Sequence, residues 1–274
     1  MPDGVLARRA VVYRVEGERR VALDLYRPEG ASPRSGWPAL VVIHGGGWRG
    51  GDRGEYGRSM AVLARRGIVV ASIDYQLSRP DRPSWPVNLQ DAREAVRWVR
   101  GHATMIEVDA TRIAVLGSSA GGHLASLLST RGDDDRPGPG VPSARVSGAV
   151  VLFGPSDLAA LLRQSPGASE SVELFLGGEP PTDGLLGAAS PLTHVTGGDP
   201  PMLLIHGTDD PRVPLEQSEV LAEALAESGV PHRLIRVDGA RHGFGLQPGG
   251  RDLEAEIHAF LQSVWGDGVP GEVL

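Results

Sequence analysis

The chain has 274 residues, enough for one large α/β domain or two small ones, and 41% of them are hydrophobic. The formal net charge is −7 and no long basic tract interrupts it, so neither nucleic acids nor anionic membranes are expected partners. Cysteine is absent, which excludes disulfides, thiolate catalysis and cysteine-ligated metals.

Short apolar runs alternate with helical stretches along most of the chain. The predicted strands are Val11–Val15 and Val21–Tyr26, which form an antiparallel pair, then Ala39–His44, Ile68–Ile73, Arg112–Leu116, Gly148–Phe153, Met202–His206 and Arg233–Val237. The predicted helices are Tyr56–Arg66, Pro86–His102, Ala120–Thr130, Leu215–Ser228 and Leu253–Val264. This alternation predicts an α/β fold with a mostly parallel central sheet and helices on both faces.

Two segments interrupt the alternation. Arg131–Ser143 is rich in Gly, Pro and Asp and is predicted to be a surface loop. Pro155–Thr196 is longer and irregular, with short helical pieces predicted at Leu158–Arg163 and Val172–Leu176. Since a long excursion inside a compact domain is more often functional than idle, we expect it over the C-terminal edge of the sheet. The chain is thus predicted to form a single domain, residues 1–274, with 155–196 as a candidate small cap.

The segment Gly117-Ser118-Ser119-Ala120-Gly121 stands directly after a predicted strand and directly before a predicted helix. In this context a G-x-S-x-G sequence forms a tight turn that leaves the serine strained and exposed. The helix N-terminus then directs positive potential at developing negative charge. Ser119 is therefore the predicted nucleophile, whereas Ser118, at the x position, is predicted to cap or pack.

A nucleophilic serine needs a general base, and the chain has eight histidines. His242 follows the last predicted strand, in a loop whose glycines allow it to reach inward, and it is the predicted base. The others are predicted to be structural: His44 and His206 bond neighbouring loops, His123 packs behind the nucleophile, and His102, His194, His232 and His258 occupy helix-end, cap, strand-start and surface positions.

The orienting acid is expected between the serine and the histidine, on the loop after the penultimate strand. Asp209 and Asp210 both qualify by position. Asp210 is preferred because it stands at the turn that begins the next helix. The resulting chain order of Ser119, Asp210 and His242 is the order of the α/β-hydrolase fold.

Acyl transfer also needs hydrogen-bond donors for the oxyanion of the tetrahedral intermediate. The glycines after His44 follow a predicted strand and allow bare backbone N–H groups to approach such an oxygen. Gly46 and Gly47 are the predicted donors. The N–H of Ala120, the residue after the nucleophile, is predicted to complete the oxyanion hole.

Six segments spread over most of the chain carry a family resemblance. They are HGGGWRGGD at His44–Asp52, DYQLS at Asp74–Ser78, DAREAVRWVR at Asp91–Arg100, RIAVLGSSAGGHLA at Arg112–Ala125, HGTDDPRVP at His206–Pro214 and GARHGF at Gly239–Phe244. Together they resemble the esterase branch of the α/β-hydrolases, most of all the acetyl-xylan and feruloyl esterase group related to hormone-sensitive-lipase enzymes. The resemblance implies the α/β-hydrolase fold and carboxylic-ester hydrolysis without a cofactor, and no metal site is predicted.

The chain departs from these relatives in three places. About forty residues precede His44, too few for the large N-terminal cap of hormone-sensitive-lipase relatives, which leaves 155–196 as the main candidate cover. Gln76 stands where similar proteins usually carry Arg, which implies the loss of a structural ion pair. Gly47 is often a bulkier residue in arylformamidase-like relatives, and this difference counts against that activity.

The predicted activity is hydrolysis of esters with short acyl chains or small aromatic groups, through an acyl-enzyme. Trp48 and the 155–196 segment are the predicted substrate contacts. The leucines of that segment are scattered between polar turns, so a channel for long acyl chains is not expected. Alternatives on the same three residues are an amide or formamide hydrolase and a small peptidase. A binding protein without turnover is the alternative outside enzymes.

No segment has the apolar length of a signal peptide or of a membrane span. The sequence therefore predicts a soluble, cytoplasmic protein that acts on a small-molecule ester and has no membrane or nucleic-acid partner. Its oligomeric state is left open.

Overall fold

The computed structural model of the chain describes residues 4–133, 138–178 and 180–266. Residues 134–137 of the predicted loop Arg131–Ser143, residue 179 of the predicted cap, and the ends of the predicted domain, 1–3 and 267–274, therefore lie outside the described residues. The remainder of the predicted loop, on either side of this gap, contains turns and no strand within the described residues.

One eight-stranded sheet runs through the molecule in the order β1-β2-β4-β3-β5-β6-β7-β8. The strands are β1 (Val5–Glu16), β2 (Arg19–Pro28), β3 (Trp37–Ile43), β4 (Val69–Ile73), β5 (Val108–Ser118), β6 (Ala149–Leu152), β7 (Met202–Gly207) and β8 (His232–Val237). β2 pairs antiparallel with both β1 and β4, and all other neighbours are parallel. The predicted mostly parallel sheet is confirmed.

The central strands are apolar on both faces because helices cover both sides of the sheet. Along β3, Leu40 and Val42 join one buried cluster, whereas Val41 and Ile43 join the cluster on the opposite face. The edge strand β1 extends beyond the predicted Val11–Val15. Its register against β2 shifts between Arg8 and Val11, and Ala10 between them has a φ of 53°. A β-bulge therefore separates the predicted apolar segment from the arginines that precede it.

The helices lie close to their predicted bounds. They are α1 (Gly57–Arg65), α2 (Val87–Gly101), α3 (Ala103–Ile106), α4 (Ala120–Arg131), α5 (Leu158–Gln164), α6 (Ser169–Leu176), α7 (Asp183–Ala188), α8 (Glu216–Glu227) and α9 (Leu253–Trp265). Two of them, α3 and α7, were not predicted. Their four and six residues are too short for an apolar period to show, and two of the six residues of α7 are glycine.

The excursion after β6 packs over the carboxyl ends of the parallel strands. Its helices α5, α6 and α7 contribute Leu158, Phe175 and Leu186 to a small apolar cluster. Trp48 and Val213, which follow β3 and β7, belong to the same cluster. Since parallel strands end at one edge of the sheet, these contacts locate the excursion where the sequence predicted it.

Asp91 on α2 is fully buried beside Gln76, the position where an ion pair was expected to be missing. Asp91 is nevertheless paired. Its oxygens accept hydrogen bonds from Arg14 at 2.7 Å and from Arg19 at 2.8 Å, and the backbone N–H of Gln76 donates to Oδ2 at 2.9 Å. Two arginines from the β1–β2 hairpin thus supply the countercharge of Asp91. The neutral side chain of Gln76 donates to the carbonyl oxygen of Pro83 at 2.8 Å, and the loss of an ion pair at this position stays a prediction.

None of the helices in the described ranges is both long enough and apolar enough to cross a membrane. The cytoplasmic location stays a prediction.

Candidate active site

Ser119 occupies the sharp turn between β5 and α4. Its φ of 53° and ψ of −121° are sparsely populated by residues other than glycine, as expected for a serine strained by the turn that exposes it. The two flanking glycines are required by close backbone contacts. A Cβ on Gly117 would lie 2.1 Å from the carbonyl oxygen of Gly121, and one on Gly121 would lie 2.2 Å from that of Ile43.

A hydrogen-bonded chain joins Ser119, His242 and Asp210. Because an ionised carboxylate only accepts, Nδ1 of His242 donates to Oδ2 of Asp210, at 2.6 Å. The neutral ring then presents its other nitrogen, Nε2, as the acceptor for Ser119 Oγ at 2.9 Å. The Asp210 carboxylate is fully buried and the His242 ring is 11% exposed, so one end of the chain is shielded and the other is open to substrate.

Asp210 rather than Asp209 faces the imidazole. Its second oxygen, Oδ1, accepts from the backbone N–H groups of Arg212 and Val213 at 2.9 and 3.0 Å. Burial alone would raise the pKa of Asp210, but hydrogen bonds from His206, His242 and the backbone outweigh it and hold the pKa well below its usual range. Asp209 is exposed, and its carboxylate accepts from the Thr208 hydroxyl.

His206 is buried and supports the loop that carries Asp210. Its Nε2 donates to the carbonyl oxygen of Val213 at 2.8 Å, and Nδ1 lies 2.7 Å from the hydroxyl of Ser218. The same Nε2 lies 3.4 Å from Oδ2 of Asp210. Nε2 thus bonds the β7–α8 connection and Nδ1 bonds the first turn of α8, in keeping with the structural role predicted for His206.

The predicted oxyanion donors line the space around Ser119. Gly46 and Gly47 both have positive φ, 108° and 59°, and a Cβ on Gly46 would lie 2.2 Å from the carbonyl oxygen of Gly50. Ala120 is the first residue of α4, where a backbone N–H has no acceptor within the helix. The structure brings these three residues to the nucleophile, and their role as donors stays a prediction.

Two tyrosines support the glycine segment after His44 and the turn that carries Ser119. Neither was among the site residues predicted from the sequence. The Tyr75 hydroxyl donates to the carbonyl oxygen of His44 at 3.0 Å, and the two rings stack with centroids 4.3 Å apart. The Tyr56 hydroxyl bonds Ser118 Oγ, which fixes the serine that was predicted to pack. Tyr75 lies in the DYQLS segment, which was a usable signal, whereas nothing in the sequence marks Tyr56.

Trp48 is only 4% exposed and packs between the nucleophile helix and the excursion. Its indole Nε1–H donates to Nδ1 of His123 at 3.3 Å, and its ring stacks on Phe175 with centroids 4.6 Å apart. Nε2 of His123 in turn donates to the carbonyl oxygen of Ala189 at 2.7 Å. Burial lowers the pKa of His123 to about 4, so this histidine is a neutral packing group behind the nucleophile, as predicted.

Two neighbouring cavities both include Ser119 in their lining. The first has a volume of about 500 Å³, and its apolar walls include Met60, Leu152 and Phe244. The second has a volume of about 630 Å³ and extends beneath the excursion. The residues common to both are Gly47, Arg49, Ser119, Ser171, Arg212 and His242. Trp48 lines the second cavity, which is compatible with a contact to substrate. The contact itself stays a prediction.

The sheet order, the strained serine after β5 and the hydrogen-bonded chain define an α/β-hydrolase. Comparison with known proteins identifies the family. Residues 23–225 match the BD-FAE family model, well over half of the chain, and the chain therefore belongs to the BD-FAE family. The predicted resemblance to α/β-hydrolase esterases is confirmed.

Proteins named as esterases or ester hydrolases are similar to this chain. Est2, a thermophilic esterase of Thermogutta terrifontis, has a solved structure that is 30% identical, with a TM-score of 0.78 over 98% of this chain and 96% of Est2. The acetyl ester-xyloside bifunctional hydrolase of Caldicellulosiruptor lactoaceticus is 28% identical, with a TM-score of 0.79 over 91% and 90% of the two chains. LipM of Mycobacterium tuberculosis, a probable carboxylic ester hydrolase, is 36% identical over 51% of this chain but only 32% of its own length. The chain thus spans about a third of that relative.

Proposed function

We propose that this protein is a serine carboxylic-ester hydrolase. The observation that carries the proposal is the hydrogen-bonded chain from Ser119 through His242 to Asp210, in a family whose named relatives include esterases. A serine at hydrogen-bond distance from an imidazole that a buried carboxylate orients is the arrangement that acyl transfer requires.

The reaction proceeds in two steps. His242 accepts the proton of Ser119 while Oγ attacks the ester carbonyl, and the backbone N–H groups of Gly46, Gly47 and Ala120 stabilise the oxyanion. His242 then protonates the departing alcohol, which leaves an acyl-enzyme on Ser119. In the second step His242 activates water, and the acid is released. Asp210 holds the imidazole tautomer and stabilises its charged form throughout.

The substrate lies across Ser119 with its two halves in the two cavities. Volumes of about 500 and 630 Å³ suit small-molecule ligands, and we propose short acyl or small aromatic esters. Residues 155–196 act as a small cap over the second cavity, since Leu161, Pro166 and Ala168 line it. In this single-domain arrangement Trp48 contributes one wall beneath the cap.

A paired assay tests this proposal. We expect turnover of 4-nitrophenyl acetate and far slower turnover of 4-nitroacetanilide, the corresponding amide, because the amine is a much poorer leaving group. Faster hydrolysis of the anilide would instead indicate an amidase. Absence of turnover with esters of any acyl length would contradict the proposal and favour a binding protein on this scaffold.

A further inference from the structure

The charged side chains around the second cavity are positive, although the protein as a whole is negative. Arg49 and Arg212 line it, and no described Asp or Glu side chain does, although the chain carries a net charge of −7. The first cavity shares the two arginines but also contains Glu55. A cavity lined by one sign of charge with apolar walls concentrates the electric field, so the second cavity attracts anions.

The two arginines differ in whether a carboxylate of the protein already pairs with them. Nη1 of Arg49 lies 2.9 Å from a carboxylate oxygen of Glu170, so part of its charge is compensated. In the part of the chain that the structure describes, the Arg212 guanidinium has no hydrogen-bond or ion-pair partner, and only its backbone N–H is bonded. Arg212 is therefore the cation with free donors in this cavity.

The backbone ties Arg212 to the reacting groups. Its N–H donates to Oδ1 of Asp210 at 2.9 Å, and the neighbouring Val213 is buried and donates to the same oxygen. Pro211, on its other side, has a restricted φ. The origin of the Arg212 side chain is thus fixed relative to Asp210 and His242, and Arg212, an exposed residue, is among the residues that line both cavities with Ser119.

We propose that Arg212 is a specificity-determining residue that binds a carboxylate of the substrate in the second cavity. The protein would therefore prefer esters that carry a free carboxylate over neutral esters of the same size. A guanidinium presents a planar fork of donors that matches a carboxylate with two parallel hydrogen bonds. Trp48, Pro155 and Leu161 on the same cavity provide apolar surface for the carbons between this carboxylate and the ester.

The inference rests on the ester hydrolysis proposed above and is tested with two matched pairs of esters. On the acyl side, 4-nitrophenyl hydrogen adipate is compared with 4-nitrophenyl adipamate, in which a neutral carboxamide replaces the carboxylate. On the alcohol side, 3-(4-butanoyloxyphenyl)propanoate is compared with its propanamide. Each pair has the same shape, and several bonds separate the charge from the reacting carbonyl, so the ratio of kcat/KM within a pair reports recognition of charge.

We expect the wild type to prefer the anionic ester in one of the two pairs, and Arg212→Gln to lower that ratio about tenfold. Arg163→Gln is the matched control, because Arg163 is an exposed cap arginine that lines neither cavity. It removes the same charge from the same region and should change the ratio less than twofold. Ratios unaffected by Arg212→Gln, or affected equally by both substitutions, would overturn the inference while leaving ester hydrolysis intact.

A binding measurement separates this inference from the proposed function. In a Ser119→Ala background, which removes the nucleophile, calorimetric titration with both pairs of esters should show about tenfold weaker binding of the anion in one pair after Arg212→Gln. The neutral ester serves as the reference in the same titration. If the wild type hydrolyses no ester, the proposed function fails, and this titration still decides whether Arg212 binds a carboxylate: equal affinities with and without the arginine would overturn it.

Discussion

At the scale of single residues, two adjacent aspartates on one loop have different surroundings. Asp210 is buried, bonds His242 and accepts two backbone hydrogen bonds, whereas Asp209 is exposed. Asp210→Asn should therefore lower kcat on 4-nitrophenyl esters by about three orders of magnitude or more, since the amide favours the wrong imidazole tautomer. Asp209→Asn is the control and should stay within about threefold of wild type. The opposite ranking would move the orienting role to Asp209.

The buried His123 should make the free energy of unfolding depend on pH. Burial lowers its folded-state pKa to about 4, whereas an unfolded histidine titrates near 6.5. As pH falls from 6.5 towards 4, the unfolded chain takes up a proton that the folded protein does not, so stability is lost across this window. The expected contribution of His123 is about 2 kcal/mol between pH 7 and pH 5.

Chemical denaturation at the two pH values measures this contribution. In His123→Asn the difference in unfolding free energy between pH 7 and pH 5 should shrink by about that amount, because the titrating ring is gone. Other acid-sensitive groups are common to both proteins and cancel in the comparison. Identical pH dependence of wild type and variant would show that His123 does not stay neutral in the fold.

At the scale of elements, the buried Asp91 joins α2 to the β1–β2 hairpin. Arg14 and Arg19 surround a carboxylate that has no exposed surface. Breaking a buried pair by removing one partner leaves uncompensated charge, so Asp91→Asn should lower the free energy of unfolding by about 3 kcal/mol. Glu16→Gln is the control, because exposed Glu16 pairs with the same two arginines, and it should cost less than about 1 kcal/mol. Equal losses of unfolding free energy in the two variants would mean that the buried pair is worth no more than the exposed one.

The sequence predicted most elements because their signals are local. The apolar runs of β3 and β7, the helical period of α2 and the G-x-S-x-G turn each lie within one short segment. The Arg14–Asp91 pair, by contrast, joins residues 77 positions apart, and the Tyr56–Ser118 contact joins residues 62 positions apart. No periodicity reports such partners, since they exist only after the sheet has brought distant segments together.

The predicted site depended on chain order combined with fold. Ser119, Asp210 and His242 were chosen because each follows a strand in the order of the α/β-hydrolases, and the carboxyl ends of parallel strands meet at one edge. The preference for Asp210 over Asp209 came from its place at the turn before the next helix, whereas the burial that distinguishes the two carboxylates is visible only in the structure. The free guanidinium of Arg212 could not be predicted, because the sequence does not show which charges are paired.

At the scale of the whole molecule, the cavities limit the substrate. Each buried methylene of an acyl chain contributes at most about 0.8 kcal/mol, and a chain that outgrows a small cavity gains nothing further. In a detergent-free series of 4-nitrophenyl esters, kcat/KM should peak between acetyl and about hexanoyl and fall steeply beyond octanoyl. A peak at dodecanoyl or longer would indicate a deep acyl channel and contradict the small-cavity account.

The most direct test of the central claim is the turnover of Ser119→Ala with 4-nitrophenyl butanoate, compared with wild type and with Ser118→Ala. Removing the nucleophile should lower kcat at least about a thousandfold, with an unchanged circular dichroism spectrum. Ser118→Ala loses only a hydrogen bond to Tyr56 and should lower kcat by less than about tenfold. A folded Ser119→Ala protein that keeps more than a tenth of the wild-type kcat would contradict the assignment of Ser119 as the nucleophile.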